Sequence, residues 1–176
     1  MMARKGLVLV FTGNGKGKTT AALGLGLRAW GHGMRVLCLQ FIKGAFPTGE
    51  SAACRKLDGF ELRSMGLGLI RDTGPDSLAP HREAARQAFF EAEKAVKSPE
   101  WDMVILDEIF CALQLGLLPV EDLERLIRER LSEQHLVLTG RGAPRTICDM
   151  ADLVTDMKCV KHPYEQGVAA QPGIEF

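Results

Sequence analysis

Net charge is absent from this chain of 176 residues, in which 22 Lys and Arg balance 22 Asp and Glu. Such a chain has no long-range field with which to gather nucleic acid or an anionic membrane, so any anion must be held by a local set of donors. Long apolar runs are missing as well. Near the start the longest is Leu7–Phe11, far from the ~20 residues that cross a bilayer and too short for a secretory signal core. A cytoplasmic protein with neither a membrane nor a nucleic-acid partner is the expectation. Paired cysteines are missing too: Cys38, Cys54, Cys111, Cys148 and Cys159 are odd in number and never spaced Cys-x-x-Cys. That argues against a disulfide framework and a zinc knuckle, and leaves them as small buried hydrophobes. With 46% apolar and 25% charged residues, nothing supports disorder, collagen or coiled coil. The length suits one domain, residues 1–176, able to bury roughly 70% of the surface of its unfolded chain.

What the chain does carry is an alternation of short β-rich apolar runs with stretches of helical period, the pattern of an α/β domain with a mostly parallel sheet. Leu7–Phe11 reads as a strand buried on both faces, followed by a Gly-rich turn and an Ala/Leu-rich helix from about Lys18 to Trp30, which Gly31-His32-Gly33 stops. Val36–Leu39 and the weaker Phe60–Arg63 follow as strands, and the first three elements suggest a right-handed βαβ unit. Gly66, Gly68, Gly74, Pro75 and Pro80 make Met65–Pro80 a long loop. A helix is expected over His81–Lys97, ended by Ser98-Pro99. Trp101–Leu106 is a buried strand. A helix begins at Pro119, with Glu121 and Asp122 early and Arg128 and Arg130 late, a charge pattern that suits the helix dipole and a solvated face. Leu136–Thr139 and Leu153–Met157 are the last strands, and residues 160–176 read as a tail laid across the surface. Phe41, Phe46, Phe89, Phe90 and Trp101 are expected in core or loop packing.

The segment Gly13-Asn14-Gly15-Lys16-Gly17-Lys18-Thr19-Thr20 lies between a buried strand and a helix, where backbone N–H groups can wrap a polyphosphate. Its glycines let the backbone approach the anion, Lys18 offers a point charge, and the Thr19 hydroxyl can ligate a divalent cation. A standard P-loop would carry glycine at position 12, where this chain has Thr12. The alternative, a Gly-rich turn with no ligand, is disfavoured by Gly-Lys-Thr-Thr directly behind an apolar strand. Met103–Leu106 then delivers Asp107 and Glu108 to the C-terminal end of a strand, where parallel sheets bind ligands and where acids can reach a Mg²⁺ ion held by Thr19. Together these segments point to a Mg²⁺–nucleoside triphosphate and to a P-loop NTPase-like, RecA-like three-layer domain with a mostly parallel sheet of about six strands. Hydrolysis stays open, because Glu108 could position water at the terminal phosphate.

Gly13–Thr20 with Ala21-Ala22, then Arg28, Gly31-His32-Gly33, Gln40-Phe41-Ile42-Lys43-Gly44, Thr48-Gly49-Glu50, Leu106-Asp107-Glu108, Thr139-Gly140-Arg141-Gly142, Ala151–Val154, Val160-Lys161-His162, Gly167 and Gly173-Ile174 together resemble, in order, the P-loop ATP:cob(I)alamin adenosyltransferases. The resemblance implies transfer of the 5′-deoxyadenosyl group of ATP to the cobalt(I) of a corrinoid with release of triphosphate. It implies a homodimer, ATP reversed in the loop, and contacts from Arg28 and Arg141 to the nucleotide. An electron-donor protein such as a flavodoxin is a further expectation. Cobalt(I) is itself the nucleophile, so the residues that matter are those that stabilise the departing triphosphate, with Lys18 and Glu108 as the candidate catalytic pair; one oriented donor of this kind is worth about 3–4 kcal/mol. One departure stands out. The family commonly has Gly-x-Gly-Phe-x-Trp in the loop after the third strand, whereas here Gly66-Leu67-Gly68-Leu69-Ile70-Arg71 occupies it, leaving Leu69 to meet the macrocycle. A RecA-like ATPase and a non-catalytic corrinoid carrier or sensor are the competing readings. His162, before a proline in the tail, reads as a surface or packing residue.

Overall fold

The computed structural model describes residues 5–44 and 46–175. Its elements are β1 (Val8–Thr12), α1 (Lys18–Gly31), β2 (Val36–Gln40), α2 (Gly49–Cys54), β3 (Phe60–Ser64), α3 (Pro75–Val96), β4 (Met103–Asp107), α4 (Ile109–Gln114), α5 (Val120–Glu129), β5 (His135–Thr139), α6 (Arg145–Met150) and β6 (Leu153–Asp156), with a 3₁₀ turn at Pro163–Gln166. The strands form one sheet in the order β3-β2-β4-β5-β1-β6, and every ladder in it is parallel.

The period of two along the strands divides the core. Val8, Val10, Leu37, Leu39, Val104, Leu106, Leu136 and Leu138 face the layer that contains α3, α4, α5 and α6, whereas Leu9, Phe11, Val36, Cys38, Met103, Ile105 and Val137 face α1 and α2. Burying each Val, Leu or Ile in this way contributes roughly 1.5–3 kcal/mol. The RecA-like three-layer expectation is met, and β1, α1 and β2 form a parallel crossover within one sheet. The sheet does not place β1 beside β2: the crossover through α1 passes two positions that β4 and β5 later fill.

Two boundaries also differ from the sequence reading. The helix expected from His81 starts at Pro75, with Gly74 as its N-cap. Proline at N1 costs no helix hydrogen bond, which is why Gly74-Pro75 opens a helix instead of prolonging the loop, and the irregular segment shrinks to 65–74. Pro80 sits inside the helix. The short helices α2, α4 and α6 carry too few turns to show a period. Phe41, Phe89 and Trp101 are buried as expected, but Phe46 and Phe90 are 76% and 50% exposed. Cys38 and Cys54 are buried, Cys111 and Cys148 half-buried, and Cys159 exposed. The outer face of α5 is solvated, with Arg125 paired to Asp122 and Glu93 and Arg128 to Glu124.

Helix α1 lies close to the sheet because it has no side chain at Gly26, where a Cβ would stand 2.8 Å from Phe60 Cζ and 3.1 Å from Ile105 Cδ1. Gly24, on the same helix, meets nothing within 4 Å. Gly24→Ala is therefore expected to raise stability by about 0.5–1 kcal/mol through helix propensity. Gly26→Ala should lower it, since an overpacking cost of about 1–3 kcal/mol outweighs the same gain. Urea unfolding of the two variants checks both signs.

Candidate functional site

The C-terminal ends of β1, β5 and β4 lie side by side and open into a cavity of about 650 Å³. Its floor is the 14–20 part of the Gly-rich loop. Gly13 and Gly17 adopt φ of 99° and 111°, a region that side chains disfavour. A Cβ on Gly13 would collide with the Asp156 carboxylate and the Met157 carbonyl, and the Gly15 N–H donates to that carbonyl at 2.7 Å. The missing glycine at position 12 is thereby accounted for: Thr12 is still β-strand, its hydroxyl accepts from the Ala143 N–H at 3.1 Å, and the turn begins one residue later.

Lys18 folds back over the loop and donates to the carbonyls of Gly13 at 2.8 Å and Gly15 at 2.6 Å. Burial, and then the nearby Arg141 charge, lower its pKa. Lys16 reaches Glu175 of the tail at 2.5 Å, a half-exposed pair worth little to stability. Arg141 stands on the cavity wall between Gly140 and Gly142, whose φ values are 140° and 61°. Asn14, Thr19, Thr20 and Glu108 also line the cavity.

Asp107 is fully buried at the end of β4. Its Oδ1 accepts from the hydroxyls of Thr19 and Thr139, both at 2.8 Å, and its Oδ2 from the Gln40 amide at 3.0 Å. Three donors from three elements offset the desolvation of this carboxylate. Glu108 is the one non-glycine residue with positive φ among the described residues, at 61°, because the chain turns directly from β4 into α4. Burial and then the Asp107 charge raise its pKa.

The sequence reading gave no role to Lys43 and Glu50, which line the same cavity and pair at 2.8 Å. Burial opposes the charge of each, but their mutual bond prevails, so Lys43 titrates higher and Glu50 lower than usual. The only signal in the sequence was their presence in Gln40–Gly44 and Thr48–Glu50. Cys111 also lines the cavity, and burial raises its pKa. His162, read as a surface or packing residue, lies on the cavity rim while its Nδ1 accepts from the Tyr164 N–H at 3.2 Å. The tail is correspondingly more than a surface strap, since Gly173, Ile174 and Glu175 reach the cavity.

Four predicted residues lie outside the cavity lining: Gly13 at the start of the loop, the buried Asp107, Arg28 and Leu69. Arg28 is exposed in the last turn of α1, ten residues and some 15 Å along the helix from Lys18. Leu69 is 78% exposed in the 65–74 segment. That segment is joined to the end of β2, the Gly68 N–H donating to the Ile42 carbonyl at 2.9 Å. Leu67 and Phe46 are also exposed, and a Cβ on Gly68 would lie 3.8 Å from the Phe46 ring.

An all-parallel sheet with a Gly-rich loop after β1, a lysine folded onto that loop and an acid at the end of β4 defines a P-loop nucleotide-binding domain of the RecA-like class. The fold is shared with the RadB recombinase, whose crystal structure superposes with a TM-score of 0.51 at 13% identity, over 91% of this chain and 78% of that one. Residues 4–176 match the family described as ATP:corrinoid adenosyltransferase BtuR/CobO/CobP, and the chain belongs to that family. It is 40% identical to the corrinoid adenosyltransferase of Escherichia coli K12 over 172 residues, covering 98% of this chain and 86% of that protein. The corrinoid adenosyltransferase CobA of Salmonella typhimurium is 38% identical with the same coverage. That of Pseudomonas aeruginosa is 40% identical over 173 residues, 98% of this chain and 84% of its own.

The raised pKa of Glu108 has a consequence for stability. The folded state keeps a proton that the unfolded chain has already released, so stability falls as pH rises from the ordinary glutamate range through the folded-state pKa. Glu108→Gln is expected to be more stable than the parent at neutral pH, with the difference vanishing as pH falls below that range. Urea midpoints across this interval check it, and a variant less stable at neutral pH would contradict the assignment.

Proposed function

We infer that this chain transfers the 5′-deoxyadenosyl group of ATP to the cobalt(I) of a corrinoid and releases triphosphate, as its family membership and its phosphate cradle together support. In that reaction the cobalt–carbon bond forms as the bond between C5′ and the triphosphate oxygen breaks, and the electron pair of that bond leaves with the triphosphate. The protein needs no nucleophile of its own. It has to place C5′ in line with the cobalt and stabilise the departing charge. The single observation that carries the proposal is the set of cations gathered at the Gly-rich loop, Lys16, Lys18, Lys43 and Arg141, all of which line one cavity.

In this structure Lys18 bonds loop carbonyls, Lys16 bonds Glu175 and Lys43 bonds Glu50. An incoming triphosphate offers each a stronger anionic acceptor, so the cations are already at the site and exchange partners on binding. The donor set also suits Mg²⁺. Among the described residues no three His, Cys, Asp or Glu side chains form a ready metal cage, and Mg²⁺ prefers one or two protein oxygens completed by water and phosphate. Thr19, Asp107 and Glu108 would hold it. Bound there, it would neutralise charge on the phosphate oxygens.

The corrinoid is assigned to the apolar surface of Phe46, Leu67 and Leu69 beside the end of β2. Leu69 stands where relatives carry an aromatic residue, and Phe46 supplies an aromatic ring from the neighbouring segment. A homodimer, a cytoplasmic location and a flavodoxin-like electron donor complete the proposal; no helix among the described residues is long and apolar enough to cross a membrane.

Incubation with ATP, Mg²⁺ and chemically reduced cobalamin is expected to give a cobalt–carbon bond and one inorganic triphosphate per turnover. Orthophosphate and ADP without corrinoid would identify an ATPase instead, and tight binding without turnover a carrier. Lys18→Ala should lower kcat by about 10²–10³-fold, the usual loss for one oriented donor to a developing anion.

A further inference from the structure

Gln40 is completely buried at the C-terminal end of β2, and both ends of its amide are engaged. The Nε2 group donates to Asp107 Oδ2 at 3.0 Å, and Oε1 accepts from the Ser64 hydroxyl at 2.8 Å. The orientation follows from chemistry, because an ionised carboxylate can only accept and the amide must turn its N–H₂ toward it. Ser64 closes β3 and immediately precedes the 65–74 segment. The backbone of Gln40 is tied to the same place, its carbonyl accepting from the Met65 N–H at 2.9 Å. Two residues on, the Ile42 carbonyl accepts from Gly68, and Gly66 packs so closely against Ile42 that a Cβ there would collide with it.

Asp107 has no freedom left once these bonds are made. One oxygen is shared by Thr19 and Thr139, and Thr139 in turn accepts from the Glu108 N–H at 2.9 Å. The other oxygen has Gln40 as its side-chain donor. Rotation of the carboxylate would therefore cost the Gln40 bond together with those to Thr19 and Thr139. A chain of side-chain hydrogen bonds runs from the base of the 65–74 segment through Ser64 and Gln40 to the acid that faces the P-loop threonine.

We propose that Gln40 is a positioning residue that fixes the carboxylate of Asp107 for the metal–nucleotide and joins it, through Ser64, to the segment that carries Leu67 and Leu69, so that the two substrate sites sense each other. The proposal rests on the reading of those sites given above. Gln40 touches neither substrate and acts through Asp107. Asp107 is thereby held in one rotamer against the Thr19 hydroxyl, so that no ordering cost falls on binding. Movement of the 65–74 segment against a bound macrocycle is felt first at Ser64, then at the amide, then at the carboxylate.

The test is equilibrium binding of the β,γ-imido analogue of ATP, titrated with and without Mg²⁺ and with and without hydroxocobalamin, whose oxidised cobalt cannot attack the sugar. Gln40→Met keeps the volume and removes the amide. It is expected to weaken Mg²⁺-dependent binding about tenfold, the usual effect of one hydrogen bond to a buried charge, while binding without Mg²⁺ is unchanged. Ser64→Ala, a half-exposed site that loses only a hydroxyl, should weaken the same term about threefold and abolish the tightening of nucleotide binding that hydroxocobalamin is expected to produce in the parent. The double variant should be no worse than Gln40→Met alone, since Ser64 acts only through Gln40; two unrelated structural lesions would add instead. Equal Mg²⁺ dependence in parent and variants overturns the proposal. So does additivity, or a parent whose nucleotide affinity is unmoved by hydroxocobalamin that its own absorbance shows to be bound. Failure of the parent to bind or adenosylate any corrinoid defeats the functional reading instead, and the Mg²⁺ dependence of Gln40→Met and Ser64→Ala then decides the role of Gln40 alone.

Discussion

A carboxylate with no solvent exposure holds this molecule's working end together. Asp107 accepts from Thr19 at the start of α1, from Thr139 at the end of β5 and from Gln40 at the end of β2. An ionised acid is costly to bury without donors, and removing one partner leaves part of that cost unrecovered. The ends of three strands and the first turn of α1 are therefore held in a common geometry by a charge that none of them can neglect. The loop, the strand ends and the turn into α4 take their positions relative to this group.

The rest of the cavity follows a complementary rule, in which each lysine is held by a partner of its own. Lys18 lies on carbonyl oxygens, Lys16 on a half-exposed glutamate and Lys43 on Glu50 in the first turn of α2. Such pairs keep the side chains ordered and close to the site without committing them. In the proposed reaction a polyphosphate would gain several charge-assisted bonds at once while each lysine gives up one. That would be preorganisation of the kind that stabilises a leaving anion without reorganisation during the reaction. The strain at Glu108, with φ of 61° at the exit of β4, belongs to the same region and keeps a second carboxylate beside the first, against burial and like charge.

Much of this was legible residue by residue. The continuous apolar runs at Val8–Phe11, Val36–Leu39 and Val104–Leu106 announce strands buried on both faces, because a period-two pattern with no polar face fits only a sheet covered on each side. Gly13 to Thr20 announces the cradle through glycines that serve φ values side chains resist. Asp107 could be chosen because an acid that ends a buried strand has few other reasons to be there. Pro75, by contrast, was misread as a breaker, since a proline that opens a helix and one that ends a loop are the same letter. Gln40 and Thr139 gave no sign of their roles, because a polar residue closing a strand is unremarkable until its neighbours across the sheet are known.

Local chemistry sufficed for the strands and the longer helices, for the Gly-rich loop and for the family, since these depend on backbone freedom, periodicity and the order of motifs along one chain. Strand order did not follow from it. Whether β1 lies beside β2 or is separated from it by β4 and β5 depends on which sheet edges remain open when later strands arrive, and that is a property of the whole packed sheet. The same holds for distant partners: Lys16 with Glu175, Gln40 with Asp107 and Ser64, and the tail at the cavity rim are far apart in sequence. Their meeting follows from how the layers close, because a hydrogen bond is selective only after folding has brought donor and acceptor within reach.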